Sequence, residues 1–231
     1  MPTFAELLAR FSFLAAAPAA WGAILAAGLI VIFFDWRLLV LAFGALAVFT
    51  GLLYSQILPP QIAGVKMMVG LLIAVQMFVT GRQIQSSRAP VLAEPVAENG
   101  VSQQRHPTPP QRAAVRVTTG FPFRIVVAVM VLLVSWQAAL SPRFILPDVP
   151  PTVSQAVLGL VAMGLLGLGL TEEPLKAGMM LLTVLAGFEL YYAAVEPALA
   201  VIALLAAMNF SIALAACYLA AIQSLPARGE T

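Results

Sequence analysis

TEEPLKAGMMLLTVLAGFELYYAAVEPALAVIALLAAMNFSIALAACYLAAIQ, residues 171–223, decides the class of this chain. Two apolar runs flank the short break Glu196-Pro197, and each carries a polar group where hydrocarbon is expected. Glu189 lies in the first run and Asn209 in the second. An ionisable side chain at such depth costs about 2.5–3.5 kcal/mol on insertion scales, so it marks function unless packing explains it. With the helix starting near Leu175, a rise of ~1.5 Å per residue puts Glu189 about 20 Å along a ~30 Å crossing. That is embedded, and nearer the outer side. Glu196 follows on the same face with Tyr192 between them, so Glu189, Tyr192, Glu196 and Asn209 form a candidate proton or cation relay, although an outer-surface place is the preferred reading of Glu196 beside Pro197. The competing reading is a Glu189 kept protonated by apolar surroundings and hydrogen-bonded to a neighbouring helix, where it only fixes packing. For Asn209 the competing reading is an interhelical hydrogen bond.

The whole chain agrees with a membrane assignment. Of its 231 residues 61% are hydrophobic and 10% charged, and the mean hydropathy is +0.98. A soluble domain carries about 25% charged residues. The single cysteine, Cys217, excludes an internal disulfide framework, and the single histidine, His106, has no Cys or second His near it. No metal and no cofactor is expected. The arginines cluster beside membrane segments, so the isoelectric point near 9.0 reads as topology and not as nucleic-acid binding.

Working outward, seven apolar runs qualify as spans, giving an all-α integral membrane bundle. They cover about 19–34, 38–58, 62–80, 123–140, 153–170, 175–195 and 198–223. Residues 1–17 start without a basic region and hold Glu6 and Arg10, which argues against a cleavable signal. Phe4, Leu7, Leu8, Phe11 and Leu14 recur at helical spacing, so an interfacial amphipathic helix is expected there. Asp35-Trp36-Arg37 fits a tight interfacial turn. In the third run, Lys66 lies about one turn inside the start, where snorkelling to the interface is the expectation and an ion-pathway role the alternative. Gln76 sits deeper in the same run.

Residues 81–121 are rich in Pro, Gln, Ser and Arg and read as a flexible cytoplasmic linker. The chain then divides into 1–80 (N-terminal helix plus three spans), the linker, and a four-span part, 122–231. Arg105, Arg112, Arg116 and Arg124 could touch anionic lipid or a soluble partner, but a topology signal is the preferred reading. The positive-inside rule places the linker and the Ala227-Arg228 tail in the cytoplasm and the N-terminus outside. Gly159, Gly164, Gly167 and Gly169 suit close helix approach, as does the stripe Ala203, Ala207, Ser211 and Ala215. At the start of the sixth run Thr171 can cap. Glu172 and Glu173 suit the positive end of the helix, and Glu172 can also pair with Lys176.

No nucleophile elbow, phosphate loop, metalloprotease helix or Cys-His pair is present, so the chain is not expected to be catalytic alone. Two stretches carry a resemblance. LAGFELYYAA (185–194) is similar to an apolar-Gly-Leu-Glu stretch of the small K-type membrane subunit of respiratory complex I, and LAAMNFSIALA (205–215) to its Ala-rich third helix. That family has relatives in Mrp-type antiporters and membrane-bound hydrogenases. In it each stretch carries a membrane glutamate implicated in proton transfer. Glu189 matches the first, whereas the second falls on Asn209, which cannot ionise. The segment between the two positions is shorter than in the family. The three N-terminal spans and the linker have no counterpart in the short subunit. In span number the chain resembles the longer E-type subunit of formate-hydrogenlyase-like hydrogenases.

The resemblance implies a non-redox subunit of a multisubunit ion-translocating complex in a bacterial inner membrane. Its partners would be antiporter-like or redox membrane subunits and the lipid bilayer. The rival readings are a structural or assembly scaffold and, less favoured, a self-contained carrier. A faint repeat between 62–81 and 175–194 shares a double Met and would set Gln76 near Glu189, although apolar helices match each other easily and chance is the preferred explanation.

Overall fold

The computed structural model describes residues 17–88, 120–141, 146–147 and 149–224, and every regular element among them is an α-helix. In chain order these are α1 (Ala17–Ile32), α2 (Trp36–Tyr54), α3 (Pro60–Arg88), α4 (Phe121–Leu140), α5 (Pro151–Leu170), α6 (Pro174–Val195) and α7 (Leu199–Ser224). Helices α2 to α7 are each long and apolar enough to cross a membrane; α1, at 16 residues, is shorter. The protein is an integral membrane protein, all-helical across the described residues. The interfacial helix expected over residues 1–17 falls almost wholly outside them.

The short α1 is the hub. It packs against α2, α4, α5 and α6, and its alanines Ala19, Ala20, Ala23, Ala26 and Ala27 are buried among them. Small side chains let neighbouring backbones come close without a hydrophobic driving force between helices. The three-span and four-span blocks are therefore one bundle, because α1 contacts α5 and α3 contacts α7. The outer surface is apolar, with Leu41, Val65, Met68, Val126 and Leu204 among its exposed side chains. The buried polar groups point inward, as hydrocarbon requires.

Two helix boundaries differ from composition. Helix α3 runs through Gly81–Arg88, residues expected to open the linker. Loss of hydropathy marks where lipid ends, not where backbone hydrogen bonding ends, and Gln and Arg are good helix formers. The rest of that linker, 89–119, lies outside the described residues. Thr171 closes α5 and does not cap α6, whose N-cap position is Glu173 with no side-chain bond.

Asp35 does form the expected turn: its side chain accepts from the backbone N–H of Arg37 at 3.1 Å and caps α2. At the same end Trp36 Nε1 donates to Gln85 Oε1 at 3.1 Å, tying α2 to the polar extension of α3.

Two buried cations close helix ends there as well. Lys176, only 2% exposed, donates from Nζ to the carbonyls of Val31 (3.0 Å) and Phe33 (2.7 Å) at the end of α1. It is thus a carbonyl cap and makes no pair with Glu172. Arg124 is not part of the linker. It lies one turn into α4, 6% exposed, and its Nη2 donates to the Leu170 carbonyl at 2.6 Å. The last carbonyls of a helix have no partner within it, so a donor from elsewhere satisfies them and answers the negative end of the dipole. Both cations also sit over the Phe34 ring, at 4.3 Å for Arg124 and 4.7 Å for Lys176.

The glycines of α5 behave unequally. A Cβ at Gly164 would stand 2.5 Å from Val184 Cγ2, 2.9 Å from the Val184 nitrogen and 3.0 Å from the Met180 carbonyl oxygen. Around Gly169 nothing lies within 4 Å. The stripe Ala203, Ala207, Ser211 and Ala215 is exposed along α7. Gly164→Ala and Gly169→Ala change helix propensity alike, so their difference reads the α5–α6 contact. Gly164→Ala should cost on the order of 1–3 kcal/mol through overpacking, and Gly169→Ala should be neutral. Thermal melting of the two variants in detergent tests this.

Candidate functional site

Tyr54 ends α2, Lys66 lies near the start of α3, Glu189 sits in the last third of α6, and Asn209 is mid-way along α7. Four different helices thus deliver polar groups to one point. Lys66 Nζ stands 2.6 Å from Glu189 Oε2, the one ion pair among the described residues. Asn209 Nδ2 donates to Glu189 Oε1 at 2.8 Å, and the Tyr54 hydroxyl donates to Oε2 at 3.4 Å. The Lys66 ammonium also lies over the Tyr54 ring, 5.5 Å from its centre. All three partners are donors and they cover both carboxylate oxygens. The acid is thus held from three other helices and not from one neighbouring helix.

The packing explains why these groups meet. Helix α3 lies against α2 and α7, and α6 lies against α5 and α7, so the Lys66 and Glu189 faces share the seam covered by α7. Gly70 makes the α2–α3 approach possible, since a Cβ there would stand 2.8 Å from Ala47 Cβ. Lys66 does not snorkel. Its side chain is 7% exposed and that of Glu189 4%, so both charges are held inside. The expectation of a surface lysine was wrong because an acid across the seam gives the ammonium a nearer partner than the interface does.

Beside the pair is a cavity of about 50 Å³, lined by Thr50, Tyr54, Lys66, Glu189 and Asn209 among apolar side chains. That is room for water molecules, and the site is polar enough to hold them. Asn209 Oδ1 is buried and has no hydrogen-bond partner, so it is an acceptor open to whatever occupies the cavity. On the other side of Lys66 an apolar groove of about 280 Å³ runs between α3 and α7, past Val65, Ile202 and Ala206, to Gln61 and Leu199 at the helix ends. Lys66 borders both spaces.

The structure brings together Glu189, Asn209 and Lys66 and adds Tyr54, which sequence reasoning missed. A tyrosine at the end of an apolar run has no local signal separating an ion-pair partner from an interfacial residue. The single-face stripe is not assembled. Glu196 is the exposed C-cap of α6 and Tyr192 is partly buried, and among the described residues neither side chain bonds to Glu189. Partners arrive across helices instead of along one. Gln76 is not near Glu189. It faces Cys217 of α7 together with Thr80. Lys176, Glu172 and Glu173 belong to the opposite end of α6, away from the pair.

Removing one member of a buried pair leaves an unpaired charge, whereas removing both leaves a packing change alone. Lys66→Met and Glu189→Gln should each cost about 3–5 kcal/mol, and the double variant less than their sum. A double-mutant cycle on melting in detergent measures the coupling. Additive losses would mean that the two groups do not interact.

Comparison of the chain with protein-family models, curated proteins and solved structures gave no match, so the chemistry of the site is read from its own geometry.

Proposed function

We propose that the chain is a non-redox membrane subunit of a multisubunit ion-translocating complex of the complex I, antiporter or membrane-hydrogenase type. In this reading Glu189 carries one proton or cation step. The observation that supports it best is the buried Lys66–Glu189 pair beside a cavity able to hold water. A structural acid needs only donors. This one has donors, an unsatisfied amide oxygen next to it and space between them. Protonating Glu189 neutralises it and frees the ammonium from its partner, and losing the proton restores the pair. The pair therefore has two states of differing local charge, which a translocating complex can couple to movement of its neighbours. The likeness of 185–194 to the K-type subunit supports the same role. Where that family has a second glutamate, the second titratable group here is Lys66, delivered by another helix.

The scaffold reading is favoured by a different observation: the exposed small-residue stripe of α7 offers a close-packing face to a partner helix. In that case the ion pair locks α3, α6 and α7 and nothing moves through it.

The test is proton or cation translocation by the whole reconstituted complex carrying Glu189→Gln, with subunit content measured in parallel. The relay reading expects ion-coupled activity to be lost per assembled complex, beyond any loss of assembly. Full translocation would leave the scaffold reading standing. Assembly is controlled by Lys66→Met/Glu189→Gln, which leaves no lone charge.

The proposed orientation has the N-terminus outside and the C-terminus cytoplasmic, in a bacterial plasma membrane. Gln56 and Thr152, joined at 3.4 Å, then mark the outer face, and Gln85 the cytoplasmic face. Single cysteines placed there in a Cys217→Ala background should react with impermeant maleimide from outside at Gln56 and Thr152. Cysteine at Gln85 should react only in inside-out vesicles. The opposite pattern would invert the topology.

A further inference from the structure

The side chains lining the cavity beside the Lys66–Glu189 pair carry oxygens of a particular kind, one of which, Glu189 Oε2, bonds the Lys66 ammonium. Glu189 Oε2 contributes one negative charge at 2.6 Å, and the Tyr54 hydroxyl adds a neutral oxygen beside it. Asn209 Oδ1 is buried, lacks a donor and lines the same cavity. Thr50 Oγ1 gives its proton to the carbonyls of Leu46 (2.8 Å) and Ala47 (3.1 Å), which leaves its lone pairs available to the cavity it also lines. A hard cation without redox chemistry is held by such a set of carboxylate, amide and hydroxyl oxygens. The charge count selects its valence. One carboxylate balances one positive charge, whereas a divalent ion would leave an uncompensated charge in a buried site. No group of three or more His, Cys, Asp or Glu side chains gathers there or elsewhere among the described residues.

We propose that this cavity is a monovalent alkali-cation site whose resident cation is the chain's own Lys66 ammonium. The ammonium is singly charged, comparable in size to a dehydrated potassium ion, and tethered, so its binding is intramolecular and independent of the salt concentration. Free sodium or potassium is excluded while Lys66 is charged, and the species left to exchange at Glu189 is the proton. The inference deepens the relay reading by naming its ion, and in that consequence it rests on that reading. The coordination itself does not.

The test uses the purified full-length chain in detergent. Lys66→Met removes the ammonium, keeps an unbranched apolar stem and leaves the oxygen set facing an open position. Sodium, lithium or potassium chloride should raise the melting temperature of this variant above that in choline chloride at equal ionic strength, because an ion that binds only the folded state stabilises it. Equilibrium binding of radioactive sodium should give one ion per chain in Lys66→Met and none in the parent. Adding Glu189→Gln should abolish the binding. Adding Asn209→Leu should weaken it by about tenfold or more, the scale seen when a supporting group is removed from a metal site.

The inference is overturned if Lys66→Met shows no alkali-specific stabilisation or binding. It is equally overturned if the parent binds sodium as well as the variant does, or if binding survives Glu189→Gln. Should Lys66→Met fold poorly in choline chloride, rescue of its yield by sodium or potassium chloride supports the site. Failure in every alkali salt while Lys66→Met/Glu189→Gln folds overturns it. Two patterns separate this inference from the relay role. Sodium binding by Lys66→Met with full translocation by the Glu189→Gln complex keeps the site and removes the relay. The reverse result keeps the relay and removes the site.

Discussion

A carboxylate and an ammonium held 2.6 Å apart inside a helical bundle constrain everything around them. Neither charge is stable alone in hydrocarbon, so the helices that carry them must stay in register. Lys66 comes from the first block of the chain and Glu189 from the last, and Asn209 completes the contact from α7. The bond therefore requires α3, α6 and α7 to converge, and Tyr54 extends the requirement to α2. The hydrophobic effect gives no drive between helices in lipid, so register rests on close packing and on directional polar contacts such as this one.

The opposite end of the bundle follows the same logic with different acceptors. There the buried cations Arg124 and Lys176 meet backbone carbonyls at the ends of α5 and α1 and share the Phe34 ring. Each cation joins helices distant in sequence and satisfies carbonyls that lipid would leave bare. The two ends differ in one respect that bears on function. The cations at the α1 and α5 ends face carbonyls, which do not titrate. The Lys66–Glu189 end holds a cavity and an acid, and an acid can change its charge.

Much of this was legible because membrane insertion is local chemistry. Seven apolar runs became seven helices, and the Asp35-Trp36-Arg37 turn stands where the charges indicated. The misread places share a cause. Gly81–Arg88 looked like linker because its composition is polar, yet polarity reports the lipid boundary while the backbone ladder continues past it. Arg124 looked like a loop charge because it follows a basic stretch, but Pro122 at the start of α4 already commits it to the helix. Glu189 stood out by itself, whereas its partners did not. Lys66 is 123 residues away and Tyr54 is 135, and nothing local indicates which helix faces will meet. A stripe along one helix was the natural guess, and the packing chose a seam between helices.

The charge balance of the seam also accounts for the amide at position 209. A second carboxylate there would stand at the 2.8 Å now spanned by the Asn209 bond to Glu189. Two acids that close cannot both ionise, so one would hold a proton or draw in another cation. With a single lysine at the site, one carboxylate leaves the cavity neutral and two would not. Asparagine keeps a donor for Glu189 without adding charge, and its free oxygen keeps the cavity polar. An amide at 209 and a lysine at 66 are thus two halves of one electrostatic solution.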